Sequence, residues 1–170
     1  MLRIESEDPY RHLVGLDHRL KGEDRLSEKV ESHLRASPDI SYYEAFAKVK
    51  DAVRFTFKYE ESRYAEGVIT DCARLEEAGF KRVDLRNTWA NGEYKGINSR
   101  WRVPESGQLF EVQFRTQSSF GAKQQTHQAY EKIRDPATPK SERDELMDYQ
   151  GEVCARIPIP PGAPGIPNYP

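Results

Sequence analysis

Two carboxylates stand where strands would bring them together. Asp51 directly precedes the alternating run Val53-Arg-Phe-Thr-Phe-Lys-Tyr59, and Glu111 lies inside the run Leu109-Phe-Glu-Val-Gln-Phe-Arg-Thr116. If those runs are neighbouring strands, the pair can hold Mg2+ in front of a triphosphate. Arg54, Gln113 and Arg115 share a polar side of the two runs, and Asn98, Arg100 and Arg102 do the same in a third. Their planar donors suit phosphate oxygens and base edges. A second cationic group lies upstream. Arg25 and Lys29 are one helical turn apart, with Arg19 and Lys21 on one side of an extended approach. That brings four cations to one helix N-terminus, where the helix dipole also favours anions. Each cluster also has a plainer explanation: a sheet with one solvated face, and a charged helix surface balanced by Glu23, Asp24 and Glu28.

The elements that must position these groups follow from periodicity. Leu26, Val30 and Leu34 recur every four residues and predict a helix over 23–36, with a second over 41–50. Residues 53–59 alternate as a half-buried strand: Val53, Phe55 and Phe57 on one side, Arg54, Thr56 and Lys58 on the other. A third helix over 64–78 is closed by Gly79. Strands are expected over 81–89, 97–103 and 109–116, with a turn at Asn91-Gly92 and a hairpin at Pro104-Glu-Ser-Gly107. In the last strand Phe110, Val112 and Phe114 oppose Glu111, Gln113 and Arg115. Helices over 118–134 and 141–156 complete the chain. The pattern is that of an α+β (or α/β) domain whose mixed sheet has four or five strands.

Composition bounds the function. The 170 residues fit one domain. At 36% hydrophobic and 32% charged residues, the chain supplies one core, which argues against disorder throughout. With 26 Lys and Arg against 28 Asp and Glu the net charge is -2, so the molecule is no general polyanion binder and any anion site must be local. No run approaches the ~18 apolar residues of a bilayer span, and the N-terminus lacks the apolar run of a secretory signal. The expectation is a soluble chain with no membrane partner. Cys72 and Cys154 are too few for a disulfide framework and lack CxxC spacing, so zinc and thiol catalysis are set aside and both read as packed thiols. Residues 158–170 hold six of the eleven prolines and read as an extended tail, packed or free, after a domain spanning 1–157.

Taken in order, Arg19-x-Lys21-x-x-x-Arg25-x-x-x-Lys29, Asp51-Ala-Val-Arg54, Tyr94-Lys-Gly-Ile-Asn98, Glu111-Val-Gln-Phe-Arg-Thr116 and His127-x-x-Tyr130 resemble the synthetase domain of the RelA/SpoT family, the nucleotide pyrophosphokinases that make alarmones. The resemblance covers residues 15–134, and its most specific element is Glu-Val-Gln-Phe-Arg-Thr. It implies a nucleotidyltransferase-like synthetase fold of about five strands flanked by helices, with ATP as donor. Arg19 and Arg54 would grip the adenine, while Lys21, Arg25 and Lys29 would hold the phosphates. Asp51 and Glu111 would be catalytic and hold Mg2+, Glu111 also acting as base toward an acceptor 3′-hydroxyl that attacks the β-phosphorus and releases AMP. Tyr94, with Lys95, would hold the acceptor base, and Asn98, Gln113, Arg115 and His127 would line its pocket. For Tyr94 a loop aromatic, and for His127 a helix-face histidine tied to a neighbour, remain open.

Departures from the family pattern fall in two places. The housekeeping enzymes carry Asp-x-x-Gly-x-Arg, whereas Asp51 and Arg54 are two residues closer and no glycine intervenes. Where they carry Gly-Tyr-Arg-Ser-Leu-His, this chain has Glu93-Tyr-Lys-Gly-Ile-Asn98, with Gly96 for serine and Asn98 for histidine. The acceptor therefore stays open among guanine nucleotides, adenine nucleotides and the 3′ end of tRNA. The length leaves no room for hydrolase or regulatory domains. Together with the shortened motifs and Pro-rich tail, it resembles the small toxic synthetases, including C-terminal warheads of larger secreted or phage-borne polypeptides. That implies a growth-inhibiting toxin acting in the cytoplasm, an immunity or antitoxin partner, and a natural protein longer than this chain. Two other classes compete. A non-catalytic nucleotide or RNA binder gains little from carboxylates facing phosphate. An ADP-ribosyltransferase would use Glu111-x-Gln113 but has no need of the Arg19, Lys21 and Lys29 cluster.

Overall fold

The computed structural model describes residues 1–90 and 94–170. The expected turn at Asn91-Gly92 lies outside the described residues. In chain order the elements are α1 (Leu2–Ser6), β1 (Arg11–Val14), α2 (Glu23–Ala36), α3 (Tyr42–Ala47), β2 (Arg54–Tyr59), α4 (Tyr64–Glu77), β3 (Lys81–Asn87), β4 (Ile97–Arg102), β5 (Leu109–Thr116), α5 (Gln117–Gln125), α6 (His127–Arg134) and α7 (Lys140–Ala155). Among the described residues, the strands form one mixed α+β sheet in the order β1-β2-β5-β4-β3. Only β2 and β5 run parallel. Their pairing sets Arg54 beside Glu111, Thr56 beside Gln113 and Lys58 beside Arg115; across β5, Arg100 faces Glu111 and Asn98 faces Gln113. Because side chains alternate, these residues stack in cross-strand rows on one face.

The opposite face is the core. Phe57, Ile97, Trp101, Phe110, Val112 and Phe114 pack against Tyr64, Val68, Cys72 and Leu75, which the helical repeat aligns along α4. Each fully buried Phe or Leu contributes roughly 1.5–3 kcal/mol, so this face dominates the stability of the sheet. Gly79, at φ 90°, turns the chain out of α4 in a conformation that favours glycine. A smaller cluster of Val30, Ala45, Val49 and Ala52 joins α2 to α3. There Ser41 Oγ accepts from the Glu44 N–H while the Glu44 carboxylate accepts from the Ser41 N–H, a reciprocal cap that starts α3.

The 104–107 hairpin forms as its residues predict, with the Gly107 N–H donating to the Val103 carbonyl. Three features differ from the expectation. The second helix stops at Ala47. The helix expected over 118–134 is two, α5 and α6, divided at Thr126, whose Oγ1 donates to the Ala122 carbonyl instead of leaving the turn regular. Short α1 and β1, not anticipated, pack and pair at the opposite edge of the sheet from β3. Of the two states open to the Pro-rich tail, packed or free, the structure shows the packed one: Ala163 and Ile166 are buried in the main core, and Tyr169 exchanges backbone hydrogen bonds with Leu85 along the outer edge of β3. No helix among the described residues is long and apolar enough to cross a membrane.

Candidate active site

The approach to α2 is laced to the start of β2. The Arg54 N–H donates to the Arg19 carbonyl at 2.7 Å, and the Lys21 N–H donates to the Ala52 carbonyl at 3.0 Å. This lacing sets Asp51, in the turn before β2, against the first turns of α2. Lys29 Nζ is 2.7 Å from Asp51 Oδ1, and Lys21 Nζ is 2.9 Å from Oδ2. Arg54 then bridges two carboxylates, its Nη2 lying 3.4 Å from Asp51 Oδ2 and its Nε 2.7 Å from Glu111 Oε2. Gln113 Nε2 donates to Glu111 Oε1 at 3.1 Å, and Lys123 Nζ donates to Gln113 Oε1 at 2.9 Å. An unbroken chain of charge-assisted hydrogen bonds thus runs from α2 across two parallel strands to α5. The shortened Asp51-x-x-Arg54 spacing still brings carboxylate and guanidinium together, because Arg54 reaches back one turn.

Burial and charge oppose each other along this chain. Desolvation alone would raise the Asp51 carboxyl, but its bonds to Lys29 and Lys21 outweigh that and hold it below the ordinary carboxylate range. For Arg54, burial disfavours the charge while Glu111 and Asp51 more than restore it. For Lys123 the compensation from Glu111 is too small. Burial, then Arg115 and Arg54, push its ammonium down to about 8. Nor is this polar face of the sheet simply solvated, since Thr56, Gln113 and Arg115 are all buried.

On the far side of Gln113 the groups are aromatic and cationic. The Arg115 guanidinium lies 3.9 Å from the centroid of the Tyr94 ring, a cation–π contact, and its Nη1 donates to the carbonyls of Lys95 and Ser119. The Tyr94 hydroxyl donates to Asn98 Oδ1 at 2.5 Å. Gly96 sits inside this packing. A Cβ there would stand 3.2 Å from the Phe114 carbonyl oxygen and 3.3 Å from both Arg115 Cδ and Tyr94 Cε1, which accounts for glycine where the resembled motif carries serine.

The structure therefore brings Lys21, Lys29, Asp51, Arg54, Glu111 and Gln113 into one cluster, with Tyr94, Lys95, Asn98 and Arg115 beside it. Other predicted residues point elsewhere. Arg25 pairs with Glu131 of α6 at 2.6 Å, and Arg19 folds back to the Leu16 carbonyl. His127 is exposed at the head of α6, one turn before Glu131, with no hydrogen bond to Tyr94, Asn98, Gln113 or Arg115 among the described residues. Lys123 was not anticipated. Its signal was positional: it lies one turn after Ser119, the residue that closes the reciprocal cap with Thr116 and so aims α5 back over β5.

No protein-family model matches the chain, and no curated protein matches it. Solved structures do resemble it. The small alarmone synthetase 1 of Bacillus subtilis bound to its product pppGpp is 19% identical, covering 91% of this chain and 79% of that one, at a TM-score of 0.60. A GTP pyrophosphokinase family protein from Streptococcus pneumoniae is 14% identical over 88% of this chain and 72% of that one, also at 0.60. The Type VI effector Tas1, in complex with its immunity protein, is 18% identical over 86% and 83%, at 0.52. The chain has the fold of the RelA/SpoT-type synthetase domain.

Proposed function

We propose that the chain is an ATP-dependent pyrophosphotransferase that moves the β,γ-pyrophosphate of ATP to the 3′-hydroxyl of a purine nucleotide and releases AMP. The observation that carries this is the closure of Lys21, Lys29 and Arg54 on Asp51, with Arg54 shared by Glu111. Three cations around one carboxylate are more than it needs, and a triphosphate entering there takes them over as its own ligands. Lys21 and Lys29 then hold the phosphates. Arg54 faces the β-phosphoryl group, and Arg19 and Arg25 are free to leave exposed positions for the adenine and the outer phosphates. Glu111 accepts the proton of the acceptor hydroxyl as its oxygen bonds to Pβ, the bond from Pβ to the α,β-bridging oxygen breaks, and AMP departs with that oxygen. Most of the acceleration comes from positioning and charge neutralisation, with the base adding ~10²- to 10⁴-fold.

Two carboxylates fit a magnesium ion that arrives with its nucleotide. No group of three or more His, Cys, Asp or Glu able to hold a metal occurs among the described residues, so the donors suit an ion completed by phosphate oxygens and water. Asp51 and Glu111 would hold Mg2+, and it would neutralise phosphate charge. On the acceptor side Tyr94 stacks on the purine, while Lys95, Asn98, Gln113 and Arg115 surround it. His127 would serve only a part of the acceptor reaching the head of α6. An ADP-ribosyltransferase needs none of the Asp51 lysines and is disfavoured. The likeness to Tas1, an effector solved with its immunity protein, supports a delivered effector countered by an immunity partner; on this proposal it acts in the cytoplasm as a growth-inhibiting toxin.

The test is incubation with Mg2+ and ATP labelled in the γ-phosphate, against GDP, GTP, ADP, ATP and tRNA in turn, with labelled NAD in parallel. Label should pass to one nucleotide with stoichiometric AMP, and Glu111→Gln should lower the rate at least ~10²-fold without unfolding the protein. Label transfer from NAD, or no AMP with any acceptor, overturns the proposal; transfer to tRNA alone replaces the acceptor and keeps the chemistry.

A further inference from the structure

Asn87 ends β3 and engages every polar atom of its side chain. Its Nδ2 donates to the carbonyls of Ala163 and Ile166, both at 2.8 Å, and its Oδ1 accepts from the Trp89 N–H at 3.0 Å. Its own backbone N–H donates to Asn168 Oδ1 at 2.7 Å. One residue therefore ties three points of the Pro-rich tail to the start of the segment leading to Tyr94. Thr88 fastens the other arm. Its N–H and its Oγ1 both donate to the Gly96 carbonyl, at 3.1 and 2.8 Å, while Lys95 Nζ donates to the Trp89 carbonyl. Trp89 itself is fully buried, edge-on to Tyr64. The tail is anchored independently of Asn87, by the Tyr169 and Leu85 backbone bonds and by the Arg82 guanidinium over the Tyr169 ring. Six prolines pre-set its backbone, so docking costs it less conformational entropy than an ordinary segment.

We infer that the tail is a strap that acts through Asn87 to position Tyr94 and Lys95, so that its docking sets binding on the acceptor side and leaves the Asp51 and Glu111 side unaffected. The acceptor part of this rests on the function proposed above; the positioning part does not. Asn87 and Asn168 touch no substrate and are positioning residues. Their bonds fall on the arm that precedes Tyr94, which Thr88 and Lys95 then join to the arm that follows it, whereas the Asp51 cluster hangs on β2, β5 and α2, which the tail does not hydrogen-bond among the described residues.

Hydrogen exchange and steady-state kinetics on the full chain test it, with Asn87→Ala, Asn168→Ala and Asn168→Asp. The aspartate keeps an oxygen to accept from the Asn87 N–H; the alanine does not. Asn87→Ala and Asn168→Ala should speed exchange at the Thr88 and Trp89 amides about two- to tenfold, the value of a lost hydrogen bond, while the Glu111 amide, bonded to the Val53 carbonyl, stays protected. The KM for acceptor should rise by a similar factor with the KM for ATP unchanged, and Asn168→Asp should restore both. Unchanged exchange at Thr88 in both alanine variants, equal loosening at Glu111, or no rescue by Asn168→Asp overturns the inference. If wild-type protein transfers no pyrophosphate, the proposed function falls and the exchange pattern alone decides whether the strap exists.

Discussion

Lys123→Met removes the charge of Lys123 and keeps an unbranched apolar stem. In the folded protein burial, Arg115 and Arg54 hold the ammonium down to about 8, against ~10.4 for an ordinary lysine. Between those values the unfolded chain binds a proton that the folded chain does not, so stability rises with pH, by up to ~1.4 kcal/mol per unit. Below pH 8 the charged lysine therefore costs at most about 3 kcal/mol, a penalty that fades as the pH passes ~10. Methionine never carries it. The variant also loses the 2.9 Å bond to Gln113 Oε1. Gln113 is only 5% exposed, so its orphaned oxygen costs about 1–3 kcal/mol at every pH. At neutral pH the two effects nearly cancel, and the signature lies in their difference. Urea unfolding followed by the fluorescence of Trp89 and Trp101, both wholly buried, reads it directly. The variant should match wild type within about 1 kcal/mol at pH 7 and be about 2 kcal/mol less stable at pH 10, a swing of about 2–3 kcal/mol. Comparing two proteins at each pH cancels the titration of their other lysines and tyrosines. The same stability difference at both pH values would refute the premise that burial and the neighbouring arginines hold this ammonium down.

Two active-site substitutions should separate the substrates. Lys29→Ala leaves Asp51 with one lysine instead of two and should raise the KM for ATP about tenfold or more, with the acceptor KM unchanged, by initial-rate kinetics. Tyr94→Ala should do the reverse; a joint rise in both constants for either variant would mean that the two subsites are not distinct. Gly67→Ala tests the core alone. Its Cβ would stand 2.6 Å from Tyr59 Cε1, and that ring cannot yield, being buried, bonded through its hydroxyl to Asp71 at 2.6 Å and edge-on to Tyr64. A loss of about 1–3 kcal/mol is expected in chemical denaturation, and an unchanged midpoint would show that Tyr59 has room to move.

Periodicity was enough to place the strands that matter here, because a half-buried strand writes its two faces into alternate residues. The span 109–116 is observed residue for residue, and 23–36 likewise. What escaped lacks a local signature. Four residues, Arg11–Val14, are too few to show alternation, and they become a strand only because Tyr59 and its neighbours offer an edge. The division at Thr126 depends on one hydroxyl choosing the Ala122 carbonyl. Within the site, adjacent positions on a helix or strand were legible and partners distant in sequence were not. Lys21 and Lys29 could be aligned by spacing, whereas their convergence on Asp51 required the backbone bonds between residues 19–21 and 52–54. Arg25 obeyed the same spacing and still turned to Glu131, since its side chain is exposed and an acidic partner on α6 lay within reach.

A chain of net charge -2 can still hold a strongly positive site when its acids are placed elsewhere. Lys21, Lys29, Arg54, Arg115 and Lys123 stand with Asp51 and Glu111 in one cluster, five cations to two carboxylates. Such an excess is costly to keep in a partly buried place, and the depressed Lys123 ammonium is where that cost appears. Each carboxylate shares its cations instead of matching them one to one, and Arg54 is divided between both. The excess is thus poised for an anion of several charges and poorly suited to a single carboxylate or to neutral ligands. On the proposed function, a triphosphate would relieve the repulsion among Lys123, Arg115 and Arg54 as it binds, so affinity and the depressed Lys123 ammonium would have one electrostatic origin. It follows that Lys123→Met, nearly neutral for stability at pH 7, should nonetheless weaken polyphosphate binding at that pH, because it removes a charge that the fold tolerates only at a cost.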